Sequence, residues 1–129
     1  MITKERALEI LKENVKNKNL QKHGIAVGSA MCSLHDYFED KGDSCAEPVE
    51  AWEIVGLLHD ADYEETKDDP ERHALVITEK LENLENSQPS RLRMLEDIVY
   101  AIKAHNFEYT GVEPRSLMDW SLVACDDLT

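Results

Sequence analysis

Basic residues and long apolar runs are both scarce in this chain of 129 residues. No apolar stretch approaches the roughly 20 residues that a membrane-spanning helix needs, so the sequence predicts a soluble protein without membrane contact. Only 14 residues are basic against 27 acidic ones, which gives a formal net charge of −13. A surface of that sign repels the phosphates of nucleic acid, and broad nucleic-acid binding is therefore disfavoured.

Cysteines are also few, and the sequence does not pair them. Cys32, Cys45 and Cys125 form no CxxC motif, are odd in number and follow no secretory signal. This pattern favours reduced thiols in a cytoplasmic protein. We interpret all three cysteines as structural or incidental.

What the sequence does contain is helical apolar periodicity, without convincing strand alternation. Chains usually divide into domains only well above this length, so we expect a single all-α domain over residues 1–129, with about five to six helices around a buried site. The first three predicted helices begin after Thr3, run over about residues 20–39, and run from Pro48 to His59, respectively. The fourth is capped near Asp69 and has His73 in its first turn, and the fifth follows a turn at residues 88–90. The sixth carries Trp120 in the core and reaches Asp126.

Three histidines lie on the apolar faces or at the inner ends of these helices: His23, His59 and His105. A single buried histidine is usually a hydrogen-bonded core residue. Several imidazoles buried together with Asp60 and Asp126 are different, because each unsatisfied polar group costs about 1–3 kcal/mol and each charge more. A shared cation removes that cost, and imidazole and carboxylate suit divalent ions. The sequence therefore predicts a buried metal site.

The order of these residues resembles the signature of a known family. His23, then the dipeptide His59-Asp60, then Asp126 is similar to the pattern of the HD superfamily of metal-dependent phosphohydrolases, all-helical proteins named after that dipeptide. The resemblance runs from about residue 20 to the end of the sequence. Its local strings are Lys22-His23, GLLHDADYE at residues 56–64, Ala104-His105-Asn106, and ACDDLT at residues 124–129.

The resemblance implies a centre with one or two divalent metal ions, of which Fe, Mn, Zn, Co, Ni and Mg are candidates. The implied metal ligands are His23, His59, Asp60, His73, His105 and Asp126. In two-metal members of the family the aspartate of the dipeptide bridges the ions. His73 and His105 match the additional histidines of those members, so they decide whether the second ion is bound.

The resemblance also implies a reaction, the hydrolysis of a small phosphoester such as a nucleotide or a phosphorylated metabolite by a metal-activated water. Asp60 and Asp62 are the candidate catalytic residues. Asp62 either orders a water or carries a proton, or it is a loop carboxylate or helix cap. Lys103 and Asn106 flank His105, and they either contact the phosphate of the substrate or have a structural role.

Two other functions stay open for the same residues. Some members of the superfamily hold a mixed-valence di-iron centre and cleave carbon–carbon or carbon–phosphorus bonds with dioxygen. A third possibility is a non-catalytic module that binds a metal or a nucleotide. The oligomeric state also stays open.

Two features depart from the family pattern, the end of the sequence and the acidic surface, which requires that the charge of a phosphorylated substrate be neutralised locally. The sequence ends three residues after Asp126, whereas related proteins continue through further C-terminal helices, so we expect those helices and part of the substrate pocket to be missing. A second His-Asp dipeptide, His35-Asp36, lies in a polar context. We interpret that pair as solvated surface.

Overall fold

Helices make up the regular structure of this protein wherever the computed structural model describes it, which is residues 2–43, 45–84 and 89–128. Within those ranges there are α-helices and one 3-10 turn, and no strand. The α-helices are α1 Lys4–Asn14, α2 Lys18–Asp40, α3 Val49–Leu58, α4 Leu75–Leu84, α5 Pro89–His105, α6 Phe107–Thr110 and α7 Leu117–Leu128.

The predicted all-α class is confirmed. The number of described helices exceeds the predicted five to six because the one-turn helix α6 follows α5 after a single residue. Of the predicted turn at residues 88–90, Gln88 lies outside the described residues, and Pro89 already belongs to α5.

Helices α2 and α3 approach each other closely at glycines. A Cβ atom built on Gly56 would lie 2.5 Å from the Cα of Gly28, and one built on Gly24 would lie 3.0 Å from the carbonyl oxygen of Leu57. Since real Cβ atoms do not approach a backbone that closely, a larger side chain at Gly56 would separate the two helices. The close crossing places His23, just before Gly24, against the C-terminal end of α3.

Hydrogen bonds cap the start of α1 and join the residues before α2 to the segment after α3. Thr3 begins α1 as predicted, because its Oγ1 accepts the backbone N–H of Arg6 at 3.1 Å. The carboxylate of Glu64 accepts the backbone N–H groups of Lys16 and Asn17 at 2.8–3.1 Å. Helix α2 begins directly after Asn17, so the start of α2 is tied to the residues that follow the His59-Asp60 dipeptide.

The fourth helix begins later than the sequence predicts. Pro70–Arg72 forms a 3-10 turn, and Ala74 has a left-handed φ of 78°. His73 lies between them and outside α4, so its predicted place in the first turn of that helix was wrong. The physical reason is Asp62, whose Oδ2 accepts the N–H groups of Ala74 and Ile77, both at 2.9 Å. These hydrogen bonds cap α4 at a start later than the predicted one. They also hold Ala74 in its left-handed conformation, which costs about 1–3 kcal/mol.

The hydrophobic core is formed by residues of α1, α2, α3, α4, α5 and α7. Its largest fully buried side chains include Trp52, Met31, Ile54, Leu58, Ile98, Ile102 and Leu122. The prediction for Trp120 was wrong, because its side chain is 55% exposed. Helix α7 buries positions 118, 122 and 125, and a residue two positions from 118 and 122 faces away from that stripe.

None of the helices in the described ranges combines the length and the apolar composition that crossing a membrane requires.

Candidate metal centre

The six predicted metal ligands come from separate parts of the chain and converge. They are His23 of α2, His59 and Asp60 at the end of α3, His73 before α4, His105 at the end of α5, and Asp126 in the last turn of α7. They form two groups that have Asp60 in common. Within each group, one potential ligand atom per residue lies within 4.8 Å of all the others.

The first group contains His23, His59, Asp60 and Asp126. The Nε2 atoms of His23 and His59 are 3.2 Å apart, and they lie 3.0 and 3.1 Å from Oδ1 of Asp126. Oδ2 of Asp60 completes the group at 3.3 Å from His23 and 3.4 Å from His59. Two imidazole nitrogens and two carboxylate oxygens therefore surround one point.

The second group lies on the other side of Asp60. Its Oδ1 atom is 3.0 Å from Nε2 of His73 and 3.4 Å from Nε2 of His105. The two imidazole nitrogens are 3.2 Å apart. The two oxygens of the Asp60 carboxylate thus face different groups of ligands, which is the arrangement that a bridging carboxylate requires.

These separations fit the ligand shell of a small divalent ion. Nitrogen and oxygen ligands about 2.0–2.1 Å from an ion, at angles between about 90° and 109°, lie about 2.9–3.4 Å from one another. The nitrogen–nitrogen and nitrogen–oxygen separations in both groups are 3.0–3.4 Å. The donor set, imidazole with carboxylate, is also one that such ions prefer.

The outer nitrogens of three histidines are held by hydrogen bonds. Nδ1 of His59 and of His105 each donates to the backbone carbonyl three residues earlier, and Nδ1 of His73 donates to Oδ1 of Asp62 at 2.8 Å. In a neutral imidazole the proton on Nδ1 leaves a lone pair on Nε2. With both rings neutral, His73 and His105 direct two lone pairs at each other across 3.2 Å, an unfavourable contact that either a proton on one Nε2 or a cation between the rings relieves.

The side chains of this centre also bind protons, with which any metal ion would compete. Burial opposes charge on His73, but hydrogen bonds to Asp60 and Asp62 raise the pKa of His73 to about 9. Burial likewise acts to raise the pKa of Asp60, yet hydrogen bonds from His105 and His73 and the charge of His59 hold that pKa well below its usual range. A metal ion must displace the proton of His73, so its binding is expected to weaken as the pH falls.

Asp62 is buried, with only 1% of its surface exposed, and both of its oxygens have partners. Oδ1 accepts from His73, and Oδ2 accepts the two backbone N–H groups that begin α4. These contacts fit the interpretation of Asp62 as a helix cap. The hydrogen bond to Nδ1 also orients the ring of His73. The role of Asp62 as a proton carrier stays a prediction.

The two candidate substrate-binding residues point to different places. The amide of Asn106 donates to the backbone carbonyl of His73 at 2.9 Å, and Asn106 lines a cavity of about 160 Å³ beside His73. Lys103 instead lines a separate cavity of about 360 Å³ together with Leu95 and Val99. Positions two apart on a helix do not share a face, which explains why α5 turns His105 but not Lys103 toward the ligands.

The cavity beside His73 has further lining residues that the sequence did not single out, Tyr63 and Lys67. The ring of Tyr63 lies edge-on to His73, with 6.0 Å between centroids, and is 46% exposed. Lys67 brings a positive charge to the same opening. Both residues lie in the turn segment after the dipeptide, where no helical period predicts which side chains share a face.

The second dipeptide, His35-Asp36, differs from its interpretation as solvated surface. Asp36 is exposed as expected, but the side chain of His35 is only 12% exposed. Its ring packs edge-on against Trp52 with 5.5 Å between centroids. The interpretation was therefore wrong for His35, because α2 turns position 35 toward α3, as it does Met31 one turn earlier.

Comparison with known proteins supplies no family for this chain, since no family model, no curated protein and no solved structure matches it. The resemblance to the HD superfamily stays a prediction based on the residues themselves. The convergence of its six implied ligands is an independent observation from the fold.

Proposed function

We propose that this protein is a metal-dependent phosphohydrolase of the HD type that binds two divalent ions. The first ion is assigned to His23, His59, Asp60 and Asp126, and the second to Asp60, His73 and His105. The observation that carries the proposal is the Asp60 carboxylate, whose Oδ2 faces the first group while its Oδ1 faces the second.

When held by these residues, two divalent ions would supply the positive charge that activates a water molecule and polarises a phosphoryl oxygen. The chain's own residues supply a rigid and negatively charged frame for them. Asp60 and Asp126 provide the charge, and the hydrogen bonds on Nδ1 of His59 and His73 fix the orientation of those rings. Such preorganisation favours catalysis because the ligands need no rearrangement during the reaction.

The cavity beside His73 supports a small phosphorylated substrate. Lys67 provides one positive charge at this cavity, and the amide of Asn106 lies at its wall. A single lysine in an acidic protein suits one phosphate group rather than a polyanion. The exposed ring of Tyr63 offers a flat surface to the rest of a nucleotide or a phosphorylated metabolite.

The same six ligands also serve the two alternatives, a mixed-valence di-iron oxygenase and a non-catalytic module for a metal or nucleotide. The deciding experiment therefore measures metal content and turnover together. Chelator-treated protein is loaded separately with Mn, Zn, Fe, Co, Ni or Mg. Bound metal is then counted by mass spectrometry, and phosphate release is assayed with nucleotides, sugar phosphates and an aryl phosphate.

We expect two metal equivalents that depend on Asp60 and are lost in Asp60→Asn, together with metal-dependent phosphate release. A coupled di-iron spin signal accompanied by oxygen consumption would replace the hydrolase with the oxygenase. Two bound ions without turnover of any phosphoester would favour the binding module.

A matched pair of variants controls for general damage to α7. Asp126 and Asp127 are neighbours, but only Asp126 lies among the ligands, and Asp127 is exposed. Asp126→Asn should weaken binding of the first ion and reduce phosphate release, whereas Asp127→Asn should retain both. Equal losses in the two variants would indicate that α7 itself had been disturbed.

A further inference from the structure

A third group of potential metal ligands lies at the other end of α2. It consists of His35 and Glu39, in the last turns of α2, and Cys45, in the loop before α3. One ligand atom from each lies within 4.8 Å of the other two. His35 is twelve residues beyond His23, which at about 1.5 Å per residue separates the two sites by about 18 Å along the helix.

Helix geometry and the following loop bring these three side chains together. His35 and Glu39 are four residues apart and therefore share a face of α2, with 3.9 Å between Nε2 of His35 and Oε1 of Glu39. The same Oε1 atom accepts the backbone N–H of Cys45 at 3.2 Å. This hydrogen bond folds the loop back onto the helix and brings Cys45 to the imidazole.

The imidazole of His35 is oriented as the ligand of a metal usually is. Its Nδ1 atom lies 3.3 Å from Oδ1 of Asp36, and its ring edge packs against Trp52. Ligand histidines commonly hold a carboxylate on the outer nitrogen, which fixes the ring and leaves the other nitrogen for the metal. In His35 that second nitrogen is the one facing Glu39.

We propose that Nε2 of His35, the carboxylate of Glu39 and Sγ of Cys45 bind one zinc-class divalent ion, which fastens the loop before α3 to the end of α2. Nitrogen, oxygen and thiolate donors together suit Zn²⁺ and its substitute Co²⁺. The half-exposed Glu39 leaves solvent free to occupy a fourth position. The thiol of Cys45 loses its proton to solvent when the ion binds.

This assignment revises the interpretation of Cys45 as structural or incidental. A nucleophilic role fits less well, because burial, with added effects of Glu39, raises the pKa of the Cys45 thiol, and nucleophilic cysteines need a lowered one. A ligand role has no such requirement, because a bound cation itself stabilises the thiolate.

Cobalt is the probe for this site. The six residues of the His59-Asp60 centre include no sulfur ligand, so a thiolate-to-cobalt charge-transfer band in the near ultraviolet reports a cysteine site alone. We expect the band to grow when Co²⁺ is added to the chelator-treated full chain, and to saturate by three equivalents per chain, because the His59-Asp60 centre takes up to two of the ions. In Asp60→Asn, which is expected to lose those two ions, the band should saturate at one equivalent. Cys45→Ser should abolish it, and Cys32→Ser should retain it.

Further variants make the result decisive. Asp60→Asn should keep the band, so the site can stand even if no phosphoester is turned over. If circular dichroism shows that Cys45→Ser is unfolded, His35→Gln takes its place, with a loss of cobalt affinity of at least tenfold expected. Absence of the band in the unmodified protein, or its persistence in a folded Cys45→Ser protein, overturns the proposal.

Discussion

The dipeptide His-Asp occurs twice in this chain, and its two copies have opposite surroundings. His59 is fully buried at the end of α3, and Asp60 beside it contacts ligands from α2, α5 and the segment before α4. His35 lies inside α2, and Asp36 beside it is 72% exposed. At His59-Asp60 both side chains reach one centre, whereas at His35-Asp36 the two side chains differ sharply in exposure.

The difference arises from where each helix ends. Inside a regular helix, neighbouring residues point about 100° apart, so a consecutive pair seldom faces one buried point. Helix α3 ends at Leu58, and the turns that follow free Asp60 from that restriction. The convergence of both side chains on one candidate metal centre therefore depends on the turns after α3 as much as on the two residue types.

The largest effect is expected from Asp60→Asn, which removes the charge shared by the two ligand groups. The neutral amide no longer offers two equivalent oxygens, so both ions should be lost. Phosphate release should fall by roughly 10³-fold or more, because the metals provide the nucleophile and the charge stabilisation. Metal counting and steady-state assays test this. Retention of two ions in the variant would show that Asp60 does not bridge.

Gly56→Ala should have the next largest effect, because it acts on the crossing that brings α2 to the His59-Asp60 end of α3. The added Cβ would lie 2.5 Å from Gly28, so α2 and α3 must separate. Overpacking of this kind costs about 3 kcal/mol of unfolding free energy, and metal binding should weaken as well. Urea denaturation measures the loss.

Ser29→Ala is the matched control for that substitution, since Ser29 is exposed on α2 next to Gly28. Its unfolding free energy should change by less than about 0.5 kcal/mol. If Gly56→Ala were equally stable, the close approach of the two helices would not be required for the fold.

Much of this comparison could be predicted from the sequence. Apolar residues at helical spacing predicted the all-α class, and the placement of His23 and His105 on apolar stripes predicted that they face inward. The structure brings all six predicted ligands together. Residue type and helical period carry the first two predictions locally, whereas the set of six ligands came from the resemblance to the HD superfamily.

Other features depend on contacts between distant segments, and there the sequence was insufficient. The late start of α4 follows from the bonds that Asp62 makes to Ala74 and Ile77, twelve and fifteen residues away. Trp120 was assigned to the core by its type, but the buried stripe of α7 runs along its other face. His35 was assigned to the surface by its polar neighbours, although Trp52 of another helix covers it.

Asp62→Asn should have an intermediate effect on the His59-Asp60 centre. It weakens the hydrogen bond that orients His73 and the cap at the start of α4, and partners of this kind are typically worth 10–100-fold in metal affinity or activity. We expect the second ion to bind 10–100-fold more weakly. Lower turnover with unchanged metal affinity would instead support Asp62 as a proton carrier.

His35→Ala should have a smaller effect, which sharpens the contrast between the two dipeptides. In chelator-treated protein it removes the edge-on contact with Trp52, worth about 0.5–1.5 kcal/mol. We expect a loss of about 1 kcal/mol in the unfolding free energy measured by urea denaturation. No change would mean that the contact with Trp52 contributes nothing to stability.

The smallest effect concerns Glu47, a buried carboxylate that accepts a hydrogen bond from the indole of Trp52 at 3.3 Å. At Asp60 burial acts to raise the pKa, but the surrounding histidines outweigh it and lower the pKa. At Glu47 burial raises the pKa, and the negative charges of Asp97 and Asp119 raise it further. A carboxyl whose pKa is raised on folding contributes most to stability below its unfolded value, and the contribution is lost as the pH rises through its folded value. Glu47→Gln keeps an acceptor for Trp52 but does not titrate, so its stability relative to the unmodified protein should increase from acidic to neutral pH. Urea denaturation of both proteins across that range tests this, and a constant or falling difference would show that burial does not control the ionisation of Glu47.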